Sequence, residues 1–545
     1  MGYGWAHYFY ILDLILMHLL SLLIFTPIAV GLLALFIPSR FGSSFRIIAL
    51  GVSVVQAIIL IQILFQYNYT SGFQLAESMP WISLDLGSLG LLQAEYFVAL
   101  DGLSLSMVAL SVGILLIATI SSWTVEKNRK GYFILLLILN GAIIGSFCAL
   151  DFLLFYVFFE FMLLPMYFLI GIWGGAKREY ASIKFFLYTL LGSILILIVI
   201  VALYLSFKTP ESGDRVVHTF NILSMYNIDN LIPDSLLSLD STNVLGPFSF
   251  RLWAFLLLLI GFMIKLPAVP LHTWLPDAHV EAPTPISVIL AALLLKFGGY
   301  GLLRFAYPIF PDAAIHFSWL VGLIGLVSII YGALNALSAK DLKRMIAYSS
   351  VSHMGFVLLG IASGTVAGIT GAVYQMFSHG IISAMLFVIA GVLYDRTHDR
   401  LINNYSGLSS KMKNYTAFVL IAFFASMGLP GFAGFMGEVM IFLGAFQSQT
   451  INGLVPHWMA ITATLGLLLS AAYYLWTIQR MFYGPFSLKN STVELTDLNS
   501  REYTMLLPLA LAAIIFGVLP QLLLNFINPF AGDFVNVLFQ NLLTH

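Results

Sequence analysis

GFMIKLPAVPLHTWLPDAHVEAPTPISVILAALLLKFGGYGLLR, residues 261–304, is the stretch on which the fold turns. It holds two apolar runs with a lysine in each, Lys265 and Lys296, and the first run is cut by Pro267, Pro270 and Pro276. Proline removes a backbone donor and crowds the preceding turn, so a helix must open there. Open backbone at membrane depth is tolerated only where it is packed in protein or lines a cavity. The stretch therefore predicts a broken membrane helix beside a charged one. The pattern recurs in SMGLPGFAGFMGE, residues 426–438, where Gly428, Pro430, Gly431 and Gly434 interrupt an apolar run that carries Glu438. Paired interruptions suggest inverted repeats with a site near the midplane. Prolines that only kink helices for packing would leave a similar trace, but a charge stands beside each break.

Composition widens this to the whole chain. Of 545 residues, 60% are hydrophobic and 9% charged, and the mean hydropathy is +0.96, against about 25% charged residues in soluble domains. The chain reads as an all-α polytopic membrane protein in contact with the bilayer throughout. A net charge of -1 rules out a bulk basic surface for nucleic acid. Cys148 is the lone cysteine and cannot by itself hold an iron–sulfur cluster, a zinc ion or an internal disulfide. No phosphate-cradling glycine loop is present. No cofactor is expected in this chain, so the energy for transport must come from elsewhere. The N-terminus shows no basic residue before its first apolar run and no presequence, and reads as a mature end whose first helix is an anchor.

Polar breaks divide the chain into about fourteen spans: 17–36, 46–66, 101–123, 131–150, 152–171, 182–206, 251–275, 285–305, 318–338, 345–363, 368–394, 415–445, 458–481 and 504–525. Spans seven and twelve are the broken ones. They lie five spans apart, so the halves they belong to must lie upside down relative to each other. This gives an N-terminal three-helix segment (1–130), a first repeat of helices four to eight (131–305), a second of helices nine to thirteen (306–482) and a C-terminal helix and tail (483–545). Charge tests the topology. The odd-numbered connections hold Arg40 and Arg46; Lys127, Arg129 and Lys130; Lys177, Arg178 and Lys184; Lys340, Lys343 and Arg344; Arg396, Arg400, Lys411 and Lys413; and Arg480, Lys489 and Arg501. Only Lys208, Arg215, Arg251 and Arg304 fall on the other side. This bias puts the odd connections in the cytoplasm and both termini outside. The stretch 207–250 is the longest outer connection and reads as a cap or docking loop.

Four charges remain inside the membrane. Glu160 lies in the apolar run Leu150 to Gly171, and Lys265, Lys296 and Glu438 sit equally deep. Each costs roughly 2.5–3.5 kcal/mol at a helix centre, on the order of 10 kcal/mol together, and such residues usually mark an ion or proton path. A structural carboxyl satisfied by packing is the bland reading of Glu160. For Lys265, the partial negative charge of a half-helix end supplies another. No sequence-local acid reaches Lys296. Moving a lysine between a paired and an unpaired state would load and release a proton. Driving one charge against about 200 mV needs roughly 4.6 kcal/mol, or a three-to-four-decade swing in proton affinity at about 1.36 kcal/mol per decade. Making and breaking one buried Glu–Lys pair is large enough. His353 and His379 fall near mid-membrane between Lys296 and Glu438. A lone histidine there is often a satisfied core residue, but two in this place suggest a relay. Ser349, Ser350, Ser352, Tyr374 and Ser378 could hold water beside them. The histidine pair matches no metal-ligand spacing. His272 either caps open carbonyls or extends the path.

FEFMLLPMYFLIGIWGG around Glu160, the 261–304 stretch, SAKDLKRMIAYSSVSHMGF with His353 and MFSHG with His379 resemble the antiporter-like membrane subunits of respiratory complex I and of Mrp cation/proton antiporters. The resemblance covers nearly the whole chain. It implies fourteen helices, two inverted five-helix repeats and broken helices seven and twelve. It also implies that Glu160 and Lys265 form an input pair, that Lys296, His353 and His379 relay, and that Glu438 is the output. A glutamate at the terminal position, where lysine is typical, marks one branch of that family. The resemblance further implies a translocase subunit in a bacterial inner membrane, among other membrane subunits including adjacent antiporter-like ones, with NADH and quinone handled by partners. Alternatives are an Mrp-type sodium/proton antiporter subunit, a subunit of a ferredoxin- or hydrogenase-linked complex, and a structural subunit with vestigial charges.

Overall fold

Both proline-bearing runs open where the sequence requires. In the first, helix Phe250–Lys265 stops, the chain runs irregularly past Pro267 and Pro270, and helix Trp274–Glu281 completes the crossing. The indole Nε1 of Trp274 donates to the Ile264 carbonyl at 2.9 Å, and Val269 N donates to Ser328 Oγ at 3.0 Å. Side chains thus satisfy backbone that a membrane would otherwise leave bare. In the second, helix Lys413–Ser426 gives way to Ala433–Ile451.

The computed structural model describes residues 18–543 apart from 71, 86, 88–90, 211–215, 240–243 and 490–494. Met17, the expected start of the first span, and Arg215 lie outside the described residues. Spans one to six are Leu19–Phe36, Ser39–Gln66, Gly102–Thr124, Arg129–Cys148, Phe152–Trp173 and Arg178–Ser206. Span seven is the first broken helix. Spans eight to eleven are Thr284–Ile309, Pro311–Ser338, Leu342–Ala362 and Val366–Thr397. Span twelve is the second broken helix, and thirteen and fourteen are His457–Phe482 and Ser500–Val518. The chain is a multi-pass membrane protein with fourteen crossings among the described residues. The odd connections gather on what we term the basic face.

Two elements depart from the expected outline. The last span ends at Val518 instead of continuing to 525, because Pro520 stops it, and a separate helix, Gln521–Leu543, follows. That helix is long and apolar enough to cross, yet its neighbours are the far ends of many spans. Phe526 touches Tyr67 and Gly102, Phe534 touches Tyr307, Asn528 meets Thr370, and Phe539 lies against Gly364. It therefore lies across the face opposite the basic one. The second departure is a small sheet. The connection after span two forms a hairpin of β1 (Gln74–Asp85) and β2 (Leu91–Leu100), and β3 (Val217–Thr219) from the long outer loop pairs parallel to β2. The expected cap at 207–250 is thus joined to the hairpin.

Ion pairs tie the two faces, buried on the far side and partly exposed on the basic one. On the far side, Arg304 Nη2 donates to Asp101 Oδ1 at 2.5 Å and to Ser104 Oγ at 3.1 Å, among the rings of Phe73, Tyr300 and Phe530. Asp101 also accepts from Ser104 N and so caps span three. On the basic face, Asp277 takes both Lys184 and Arg344, joining span seven to spans six and ten. Removing one partner of a buried pair typically costs about 3–5 kcal/mol. We expect Arg304→Met to lower the amount of folded chain in membranes sharply, and the double variant Arg304→Met/Asp101→Asn to recover part of it, as read by thermal stability of the solubilised protein.

Candidate functional site

Asp151 begins span five by accepting from Leu154 N, and Glu160 follows two and a half turns later. Pro165 lacks the donor that would reach back to Phe161, and the helix slips at Met162 just past the glutamate. Glu160 Oε1 has no hydrogen-bond partner, and neither has Lys265 Nζ. The ammonium lies over the Phe159 ring, 4.2 Å from its centroid. Glu160 and Lys265 thus form no ion pair here, although each feels the other's charge and Ser193 also acts on the carboxyl. The aromatic face holds the cation in the meantime.

Span eight is built to approach the first break. A Cβ on Gly298 would overlap Leu266 and the Phe262 carbonyl, and one on Gly301 would overlap the Phe262 ring. Its helix is also wider than usual in two stretches, Leu290–Leu294 and Leu302–Ala306, which are π-helical. Such bulges appear often at functional sites. Lys296 stands between them, fully buried. Its Nζ donates to the Ala291 carbonyl at 2.6 Å, inside the first bulge, and to His379 Nδ1 on span eleven at 2.7 Å.

From His379 the line continues. Its ring centroid is 5.6 Å from that of His353. His353 Nδ1 is 3.4 Å from Glu438 Oε1 and 3.4 Å from Gln375 Nε2. One ring nitrogen thus faces both an acceptor and a donor. It can accept from the amide when bare and donate to the carboxylate when protonated. His353, Gln375, His379, Ser426 and Glu438 border a cavity of about 10 Å³, the size of one water. Gly428 faces this group at φ +72°, and a Cβ there would overlap Glu438 Oε2. The second break thus has glycine where the first has Lys265, and the glycine makes room for the carboxyl of Glu438.

The structure brings Lys296, His379, His353 and Glu438 into one line and leaves Glu160 and Lys265 as a separate, open couple. His272 stays apart from both: its ring packs edge-on to Tyr331 at 5.1 Å and its Nδ1 has no partner. Tyr374 points away, donating to the Phe516 carbonyl, and Ser352 donates to Ile329 O at 2.8 Å. Two residues escaped the sequence reading. Gln375 carries no charge and gave no signal. His279 sits in the most informative stretch yet stood out from nothing around it. It is fully buried, stacked on Phe387, with neither ring nitrogen hydrogen-bonded, and the charges of Lys343 and Lys296 both reach it. Lys343 in turn lines a polar cavity of about 260 Å³ at the basic face, with Glu281, Asp395 and Arg400.

Residues 149–465 match the family described as NADH:quinone oxidoreductase/Mrp antiporter, TM. The chain is 39% identical over 523 residues to NADH-quinone oxidoreductase subunit M of Rhodobacter capsulatus, covering 95% of this chain and 96% of that one. Its fold is similar to a chain of respiratory complex I from Thermus thermophilus, with a TM-score of 0.79, 30% identity, and coverage of 95% and 99%. A chain of the Mrp complex from Dietzia sp. DQ12-45-1b has the same fold at a TM-score of 0.77 and 19% identity, covering 96% of this chain and 98% of that one.

The fit of Gly428 against Glu438 gives a structural prediction. In Gly428→Ala the methyl group should push the carboxyl aside and open the His353–Glu438 contact beyond about 3.5 Å, the limit of hydrogen bonding, while straining the left-handed backbone at φ +72°. A solved structure of the variant checks this.

Proposed function

We propose, since the chain belongs to the NADH:quinone oxidoreductase/Mrp antiporter membrane family, that it moves protons as a membrane subunit of an NADH:quinone oxidoreductase, driven by redox chemistry in partner subunits. The line Lys296–His379–His353–Glu438 carries this reading. Lys296 donates to His379, a water in the small cavity links the two imidazoles, and His353 hands the proton to Glu438 as output. Glu160 and Lys265 form the input. With the couple open, the lone Lys265 charge disfavours a proton on the neighbouring Lys296 and sends it towards His379. With the couple closed, that charge is neutralised and Lys296 reloads. The first and last steps use groups that already face their acceptors, Lys296 to His379 and His353 to Glu438.

The inverted repeats 131–305 and 306–482 place one break in each half. Partners are other membrane subunits, adjacent antiporter-like ones among them, and NADH and quinone act only through such partners. By the distribution of basic residues the basic face is the cytoplasmic side of a bacterial inner membrane, with both termini outside. Terminal Glu438, as in the subunit M branch, favours this reading over a sodium/proton antiporter subunit.

In inverted membrane vesicles, Glu160→Gln should lower NADH-driven proton uptake by roughly tenfold or more while the complex still assembles, as loss of a group that controls proton transfer does. Wild-type uptake in that variant would exclude Glu160 from the mechanism. Sodium-dependent exchange without NADH would instead support the antiporter. Orientation is checked separately: a cysteine at Asn403 should react with a membrane-impermeant maleimide in inverted vesicles and stay unlabelled in intact cells.

A further inference from the structure

His353 has a second hydrogen-bonded connection that the relay does not use. Its Nε2 is 3.3 Å from Ser426 Oγ, which is 2.6 Å from Tyr474 OH, which is 3.2 Å from Ser349 Oγ. All three hydroxyls are buried. They come from three crossings. Ser349 lies one helical turn before His353 on span ten, Ser426 is the last residue before the second break, and Tyr474 is on span thirteen. The string has a direction. Span ten starts at the basic face with Leu342, so Ser349 is nearer that face than His353 and about 10 Å inside it at 1.5 Å per residue. Beyond Ser349, Thr477 Oγ1 meets the Met345 sulfur at 3.1 Å. A flexible thioether, the most adaptable of core side chains, thus lies one helical turn nearer the basic face than Ser349.

Burial alone does not force this arrangement. Tyr473, equally buried on the same helix, leaves its hydroxyl without a hydrogen bond, whereas Ser349 both donates to Ile346 O at 2.8 Å and accepts from Tyr474 OH. On the other side of Glu438 the packing is of a different kind. A Cβ on Gly371 would be 2.6 Å from Ile441 N, and one on Gly444 would overlap Gly368 N. Spans eleven and twelve meet there backbone to backbone, leaving no room for water.

We propose that Ser349, Tyr474 and Ser426 form a proton inlet that loads His353 from the basic face, separate from the route through Lys296. This rests on the reading that His353 and Glu438 carry protons. Met345 moving aside exposes Ser349 to water. A proton bound at Ser349 Oγ sends the serine's own proton to Tyr474, the phenol's proton goes to Ser426, and that of Ser426 goes to His353 Nε2. One proton goes in and one is delivered, every O–H bond broken is re-formed, and the hydroxyls then rotate back, since each can donate or accept.

The test uses the assembled complex in inverted vesicles. Tyr474→Phe removes one oxygen and should cut NADH-driven proton uptake by roughly tenfold or more, with assembly and NADH oxidation by an artificial acceptor unchanged. Tyr473→Phe should leave uptake at the wild-type level. Should Tyr474→Phe fail to assemble, Ser426 decides: Ser426→Thr keeps the hydroxyl and should keep uptake, whereas Ser426→Ala should lose it. Wild-type uptake in both Tyr474→Phe and Ser426→Ala, with uptake lost in His353→Ala, overturns the inlet and leaves the relay standing. Wild-type uptake in His353→Ala as well overturns the relay, and the inlet with it.

Discussion

A fully buried primary ammonium, Lys296, is the constraint around which the rest is arranged. Taking an ion from water into protein costs several kcal/mol even after relaxation, and an opposite charge usually offsets it. Lys296 has no carboxylate partner. It has a carbonyl and an imidazole, both neutral dipoles. In the proposed relay such partners let the proton leave and leave no stranded anion behind when it does. Each requires its own local structure. The Ala291 carbonyl is presented by a π-helical stretch, and His379 comes within reach because Gly380 lets span eleven pass 3.1 Å from the Ala292 carbonyl by the measure of an added Cβ. Gly298 and Gly301 bring span eight onto the first break.

The two halves then differ in a way that gives the line a polarity. At the first break a lysine ends the half-helix and faces an aromatic ring. At the second, glycine stands in its place and an acid from the next half-helix fills the space. The line thus begins near one positive charge and ends on a carboxyl group, with two imidazoles between them. Moving one charge through about 100 mV takes roughly 2.3 kcal/mol, and breaking a buried ion pair costs about 3–5 kcal/mol. In the proposed relay, the open Glu160–Lys265 couple is of the right size to set the direction of a proton on Lys296.

Much of this was legible in the sequence because membranes make few things affordable. Prolines beside a charge in apolar runs pointed to broken helices, and charges in apolar runs to the inside of the bundle, whereas Pro27 and Pro508 sit within unbroken helices. Lys296 and Glu438, named from the charge rule, and His353 and His379, named for their place between them, do come together. What stayed hidden obeys weaker rules. The π-helical stretches contain no proline or glycine at 290–294 and left no mark. Gln375 is one uncharged amide among many polar groups. The hairpin at 74–100 alternates too imperfectly to stand out, and Pro80 interrupts it. The helix Gln521–Leu543 has the length and hydropathy of a crossing, and only its contacts show that it lies flat. The absence of contact between Glu160 and Lys265 was not legible at all, since two charges at matching depth imply proximity and say nothing of the moment at which they touch.

A transporter of this kind has to avoid joining its two sides at once. If His353 and Glu438 were connected to both faces together, protons would run back down the gradient that the redox reaction builds. Under the proposed relay and inlet, two unlike barriers would meet this requirement. Towards the basic face the barrier holds hydroxyls in hydrogen-bonding distance and, one turn beyond, a methionine side chain. Towards the opposite face it is thick, with glycine backbones of spans eleven and twelve in direct contact. A side chain can swing in nanoseconds, whereas two helices packed backbone to backbone part only as bodies, on the microsecond scale or slower. The fast barrier therefore suits loading, which must follow thermal encounter with protons. The slow one suits release, which must wait for the event that supplies the energy.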